Sequence, residues 1–165
     1  HLLAHAGRLV AASLDPETTL GAVARTAVPT LADYCIVDLL DADGALRRVA
    51  TAHADPAREP VLARTARHYA GDVAPTHPLH AALDAGETRV TNEVDDAWLA
   101  RATSSPDHRA DVAVLAPAAV LTVPLVARAR PIGIVTLVRA RADAGGTGRP
   151  WDPEDVALAE EVVRR

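Results

Sequence analysis

Between Ala118 and Arg139 the chain reads AAVLTVPLVARARPIGIVTLVR, two apolar, β-branched runs separated by Ala127-Arg128-Ala129-Arg130. This pattern predicts two adjacent antiparallel strands closed by a short polar loop. Val120, Thr122, Pro124 and Val126 alternate with Leu121, Val123 and Leu125, and Ile132, Ile134 and Val138 alternate with Val135 and Leu137. Both faces are apolar, whereas a sheet with one wet face carries polar residues at every second position. The hairpin therefore belongs at the centre of a sheet covered on both sides, where each fully buried Val, Leu or Ile stabilises by roughly 1.5–3 kcal/mol. Gly133 leaves room for close approach, and Pro124 removes a ladder donor and suggests a bulge there. The loop lacks the Asn-Gly or Gly of the tightest turns, so a four-residue connection is expected.

Elsewhere the pattern is mostly helical. Leu2, Leu3, Ala6, Leu9, Val10, Ser13 and Leu14 recur at spacings of three and four, a broad apolar stripe on a first helix able to pair with its own copy. Asp15-Pro16-Glu17 opens a second helix carrying Leu20, Val23, Ala24, Ala27 and Val28. Tyr34–Leu40 and Leu46–His53 are strands joined by a turn at Asp41-Ala42-Asp43-Gly44. A third helix follows Asp55-Pro56 through Val61, Leu62, Thr65, Ala66 and Tyr69; then come a loop over Gly71–Pro78 and a helical turn ended by Gly86. Thr88–Val94 reads as a short strand, Trp98–Arg101 as an irregular or helical piece, and Ser105-Pro106 as the start of a helix reaching Leu115. Beyond the hairpin, Ala144–Gly148 is a flexible loop, and Asp152-Pro153-Glu154-Asp155 caps a last helix with Val156, Ala159, Val162 and Val163 on one side. Hairpins and helix-separated strands together give an α+β class with a largely antiparallel sheet.

Composition narrows the chemistry. At 165 residues the chain is long enough for one unstapled core, read as a single domain over 1–165, and its 2% aromatic content leaves that core to Leu, Val and Ile. Net charge −5 and four aromatic residues (two Trp, two Tyr) provide neither a phosphate-neutralising surface nor a base-stacking platform, so nucleic acid is not an expected partner. The single Cys35 excludes an internal disulfide or a two-cysteine redox pair and reads as a small buried hydrophobe. The uncharged run Val112–Ala127 contains two prolines and falls short of the roughly 20 residues that span a bilayer. A cytoplasmic domain without a membrane partner is expected. The chain opens and closes within helical patterns, so it is read as a segment of a longer protein.

In this order the residues resemble the GAF domain, the small-molecule-sensing module of bacterial signalling proteins, and most closely its versions in actinobacterial sensor histidine kinases and sporulation-type serine/threonine phosphatases. The resemblance rests on Leu14-Asp15-Pro16-Glu17-Thr18-Thr19-Leu20, Ala32-Asp33-Tyr34-Cys35-Ile36-Val37-Asp38, the hairpin Leu121–Leu125 with Pro131–Leu137, and Trp151-Asp152-Pro153-Glu154-Asp155. It implies an antiparallel sheet of five or six strands, with the N- and C-terminal helices on one face. A ligand pocket on the other face would be closed by elements between about Pro56 and Pro117. It further implies a homodimer built on the terminal helices, the N-terminal helix over 1–14 and the C-terminal helix over 150–165. The latter would lead toward an output domain. Leu2, Leu9, Val156 and Val163 are the dimer candidates.

Enzymatic motifs are missing: there is no nucleophile elbow and no phosphate loop. Asp95-Asp96 reads as solvated surface. A methionine sulfoxide reductase of this family uses several cysteines and its tetrapyrrole binders use a cysteine in the pocket half, neither of which this chain has. Asn92 is followed by Glu93 and the chain has no Phe, so the cyclic-nucleotide pattern is unmatched. His68, His77, His80 and His108 leave haem as an alternative, but the cofactor stays unknown and no metal site is expected. A PAS domain, the other sensory alternative, normally ends in its sheet and not in a capped helix. The unidentified small molecule is expected to meet Tyr69, His77, Trp98, His108, Thr122 and Thr136 in an aliphatic pocket. Arg64, Arg67 and Arg101 read as a solvated helix face that would otherwise meet an anionic ligand. A second class of reading makes the module a ligand-free dimerisation relay with its pocket filled by side chains.

Overall fold

The computed structural model describes residues 16–66 and 77–164. Its elements are α1 (Pro16–Ala27), β1 (Tyr34–Leu40), β2 (Leu46–His53), α2 (Glu59–Arg64), α3 (Leu79–Ala85), β3 (Arg89–Thr91), α4 (Asp96–Ala102), α5 (Pro106–Leu115), β4 (Pro117–Ala127), β5 (Arg130–Ala140) and α6 (Pro153–Val163). The strands form one five-stranded sheet in the order β2-β1-β5-β4-β3, with every pairing antiparallel. The β4–β5 hairpin is therefore its interior, as the two-sided apolar pattern requires.

Alternation divides the sheet's side chains between two faces. Cys35, Val37, Leu121, Val123, Val135 and Leu137 point to one face, where Ala24 and Ala27 of α1 and Ala159 and Val163 of α6 close over them. Tyr34, Val120 and Val138 point to the other, joined by Leu62 of α2 and Leu115 of α5. Farther along that second face, Leu79, Ala82 and Leu83 of α3 meet Ile134.

Local chemistry sets the element ends. Asp95, Ser105 and Asp152 each accept a hydrogen bond from the backbone amide three residues on, Trp98, His108 and Asp155 respectively, the N-cap arrangement that satisfies an otherwise unpaired helix donor. Asp95 of the Asp95-Asp96 pair is thus spent on a cap. An added Cβ on Gly133 would lie 2.4 Å from the Asp38 carbonyl oxygen, so only glycine lets β1 and β5 pair at that point.

Several expectations are corrected. Ala127 pairs directly with Arg130, so the hairpin turns on two residues, Arg128 and Ala129, at φ 52° and 63°. A doubly left-handed turn matches the twist of the flanking strands even without glycine. Pro124 keeps register opposite Ile134, and the shift comes one residue later, between Leu125 and Val126. The strand expected over 88–94 is only Arg89–Thr91, because Asn92 leaves the sheet to bond the backbone of Trp151. The Gly-rich loop after β5 is pinned: Asp33 Oδ2 accepts from the amides of both Ala140, at 2.7 Å, and Thr147, at 3.1 Å.

The buried Arg139 joins two segments distant in sequence, the one after α1 and the one that leads into α6. Its Nε donates to the Leu31 carbonyl at 3.0 Å, Nη1 to that of Pro150 at 2.9 Å, and Nη2 to Asp155 Oδ2 at 3.1 Å. Its guanidinium lies 3.8 Å from the centre of the Trp151 ring, a desolvated cation–π contact. The start of α6 is therefore anchored to the segment that leaves α1.

Candidate functional site

A cavity of about 530 Å³ opens on the face of the sheet away from α1 and α6. The strand register builds its floor in rows. Tyr34, Val138 and Val120 form one row across β1, β5 and β4, and Ile36, Thr136 and Thr122 form the next. Trp98 of α4 and His108 and Leu115 of α5 supply one wall; His77, His80 and Leu79 supply another. Its size and its largely apolar wall with a few polar groups are those of a small-molecule site.

Those polar groups are held in place. His108 is 3% exposed, and its Nδ1 accepts from the Ser104 amide at 3.0 Å. His77 Nδ1 accepts from the Leu79 amide at 3.2 Å. With Nδ1 accepting in each, the neutral rings carry their proton on Nε2. Burial, reinforced by His80, His108 and Arg48, lowers the His77 pKa from 6.5 to about 3, so it is neutral at physiological pH. Thr122 donates through Oγ1 to the Arg89 carbonyl at 3.4 Å, tying the cavity floor to its β3 rim.

Deeper in the cavity, Asp38 and Arg48 form a buried ion pair at 3.2 Å, with side chains 1% and 5% exposed. Arg48 also donates to Thr65 Oγ1, which in turn donates to the Leu62 carbonyl at 2.6 Å. Burial raises the Asp38 pKa while Arg48 opposes the rise. The pair links β1 and β2 to the end of α2.

Of the residues singled out from sequence, His77, Trp98, His108, Thr122 and Thr136 line this one cavity, whereas Tyr69 lies outside the described residues. Of the dimer candidates, Leu2 and Leu9 also lie outside them. Val163 is 5% exposed and Val156 partly buried, both packed into the core beneath the sheet. The stripe on α6 is therefore used within one chain, and Leu158, 46% exposed, is its outward apolar residue. Arg64 is paired with Asp111 at 2.7 Å, while Arg101 lines the cavity. His80, named from sequence only for the haem alternative, also lines the cavity, whereas sequence reasoning missed Asp38, Arg48 and Arg89. A lone carboxylate inside the apolar run Tyr34–Leu40 was the available signal, because such a group needs a buried partner.

The model of the GAF domain family matches residues 15–165. The chain belongs to the GAF domain family. Solved structures agree in fold. The GAF domain/HD domain protein from Geobacter sulfurreducens is 18% identical at a TM-score of 0.62, over 91% of this chain and 88% of that one. A methyl-accepting chemotaxis protein is 16% identical at 0.66, over 95% and 89%. The type II free methionine-R-sulfoxide reductase from Thermoplasma acidophilum is 12% identical at 0.58, over 89% and 86%. At such identities the likeness is one of fold. No curated protein matches the chain. GAF domains are typically sensory and regulatory parts of signalling proteins, and in this one no described helix is long and apolar enough to cross a membrane.

Proposed function

We propose that this GAF domain is a non-catalytic sensory module that takes a small molecule into the cavity above the sheet. In this reading it is a cytoplasmic homodimer and biases a linked kinase or phosphatase through its terminal helices. The observation that carries the proposal is the cavity itself, a hollow of about 530 Å³ lined by apolar and polar side chains, with His77, Trp98, His108, Thr122 and Thr136 on its walls. Those residues are the proposed ligand contacts.

The sulfoxide reductase shares the fold, but cysteine chemistry fits this chain poorly. Cys35 is wholly buried on the face opposite the cavity, and burial, with Asp38 adding to it, pushes its thiol up to about 12. A thiol so protonated is a poor nucleophile.

A native mass spectrum of the 17.3 kDa chain tests ligand and stoichiometry together. Extra mass on a dimer, released on denaturation, is the expected result. A dimer free of extra mass after exposure to small-molecule extracts would favour the ligand-free relay, and a monomer would remove the dimer from the proposal.

A further inference from the structure

Charge at the cavity mouth narrows the class of ligand. Arg89 on β3 and Arg101 in the last turn of α4 both line the cavity and are exposed at its rim. Neither guanidinium has an ion-pair partner among the described residues, although eight other arginines that are not on this rim do. Arg89 shares its strand register with Thr122, which puts its side chain on the cavity face of the sheet. The other charges on the lining are Asp84, also at the rim, and the Asp38–Arg48 pair, which neutralises itself at 3.2 Å. Histidines aside, two rim arginines face one rim carboxylate and leave an excess of one positive charge over a hollow whose floor carries the apolar Tyr34–Val138–Val120 row. Such a mouth concentrates monoanions, while Asp84 counts against a doubly charged phosphate.

We infer that the cavity's ligand is an organic monocarboxylate. Its apolar body lies over the Tyr34–Val138–Val120 row, and its carboxylate is held at the mouth by Arg89 and Arg101. The inference rests on the small-molecule reading of the cavity and deepens it.

Fluorescence titration of the 165-residue chain with octanoate and with octanamide separates the two levels, because the ligands differ only in charge and head group. Trp98 on the wall is the reporter, while Trp151 lies in the core on the opposite face. Octanoate is expected to bind at least about tenfold more tightly than octanamide, the scale of a charge-assisted hydrogen bond. In the Arg89→Gln/Arg101→Gln variant the two should come within about twofold of each other because octanoate weakens, with saturable octanamide binding retained as the sign of an intact cavity. Equal affinity for acid and amide in the native chain would overturn the monocarboxylate inference and leave the small-molecule reading standing. Saturable binding of neither would overturn the inference and count against that reading as well. A preference for octanoate that survives the double substitution would overturn the assignment to these two arginines.

Discussion

Asn92 and Trp151 hold one another by two hydrogen bonds: Asn92 Nδ2 donates to the Trp151 carbonyl at 3.1 Å, and the Trp151 amide donates to Asn92 Oδ1 at 2.7 Å. Asn92 directly follows β3 and Trp151 precedes the α6 N-cap. On the other side of β3, Thr88 Oγ1 donates to Glu160 Oε2 of α6 at 2.8 Å. The strand that carries Arg89 on the cavity rim is thus fastened at one end to the last helix and at the other to the residue just before its N-cap. In the function proposed above, a ligand that moves this rim has a mechanical route to α6.

Asn92→Ala removes both bonds at one end of that strap. At roughly 0.5–1.5 kcal/mol for each bond, the expected loss of stability is about 1–3 kcal/mol. The Trp151 amide should exchange with deuterium faster in the variant while amides of β1 keep their protection. Unchanged exchange at Trp151 would show that the strap does not constrain the start of α6.

The buried pair Asp38–Arg48 supports a two-part prediction. Arg48→Met leaves the Asp38 carboxylate buried without its cation and should cost about 3–5 kcal/mol, measured by urea titration. Adding Asp38→Leu removes the orphaned charge, so the double variant should regain most of that loss. A double variant no more stable than the single one would mean that the pair contributes through its hydrogen bonds to β2 and α2 and not through charge compensation.

How far sequence alone reached depends on the range of each interaction. The hairpin, the caps at Ser105 and Asp152 and the stop at Gly86 are local statements, and each stands in the structure. Thr122 and Thr136 were legible as cavity neighbours because strand alternation fixes their face. Arg139 is legible in sequence only as the end of a strand, since its partner Leu31 is 108 residues away and no local pattern announces it. Arg128 and Ala129 misled in the opposite sense: neither favours positive φ, yet the paired strands on both sides hold them there. The α6 stripe announced an apolar face but not its partner: Val156 and Val163, expected at a dimer interface, pack into the core beneath the sheet.

Gly133→Ala puts a methyl group against the Asp38 carbonyl at a distance of 2.4 Å and against Leu39 Cδ2 at 2.9 Å. Backbone on the opposing strand cannot rotate away, so the β1–β5 pairing must open. A destabilisation of about 3 kcal/mol, at the high end for overpacking, is expected in urea titration. A loss below about 1 kcal/mol would mean that the strands part there at little cost.

The neutral His77 sets a pH dependence whose sign follows from proton linkage. Its pKa falls from 6.5 to about 3 on folding, so between those values the unfolded chain binds a proton that the folded chain refuses. Its contribution to stability is complete above pH 6.5 and is lost progressively as the pH drops toward 3. His53, whose pKa burial also lowers, acts in the same direction. Across pH 7 to 5, unfolding free energy should fall by up to about 1.4 kcal/mol per pH unit from His77. His77→Gln keeps a hydrogen-bonding side chain at the Leu79 amide but cannot take up the proton, so its urea midpoint should vary less over the same range. Parallel pH profiles for the native chain and the variant would mean that the cavity accepts a charged His77. The acid sensitivity would then belong to His53 or to other groups.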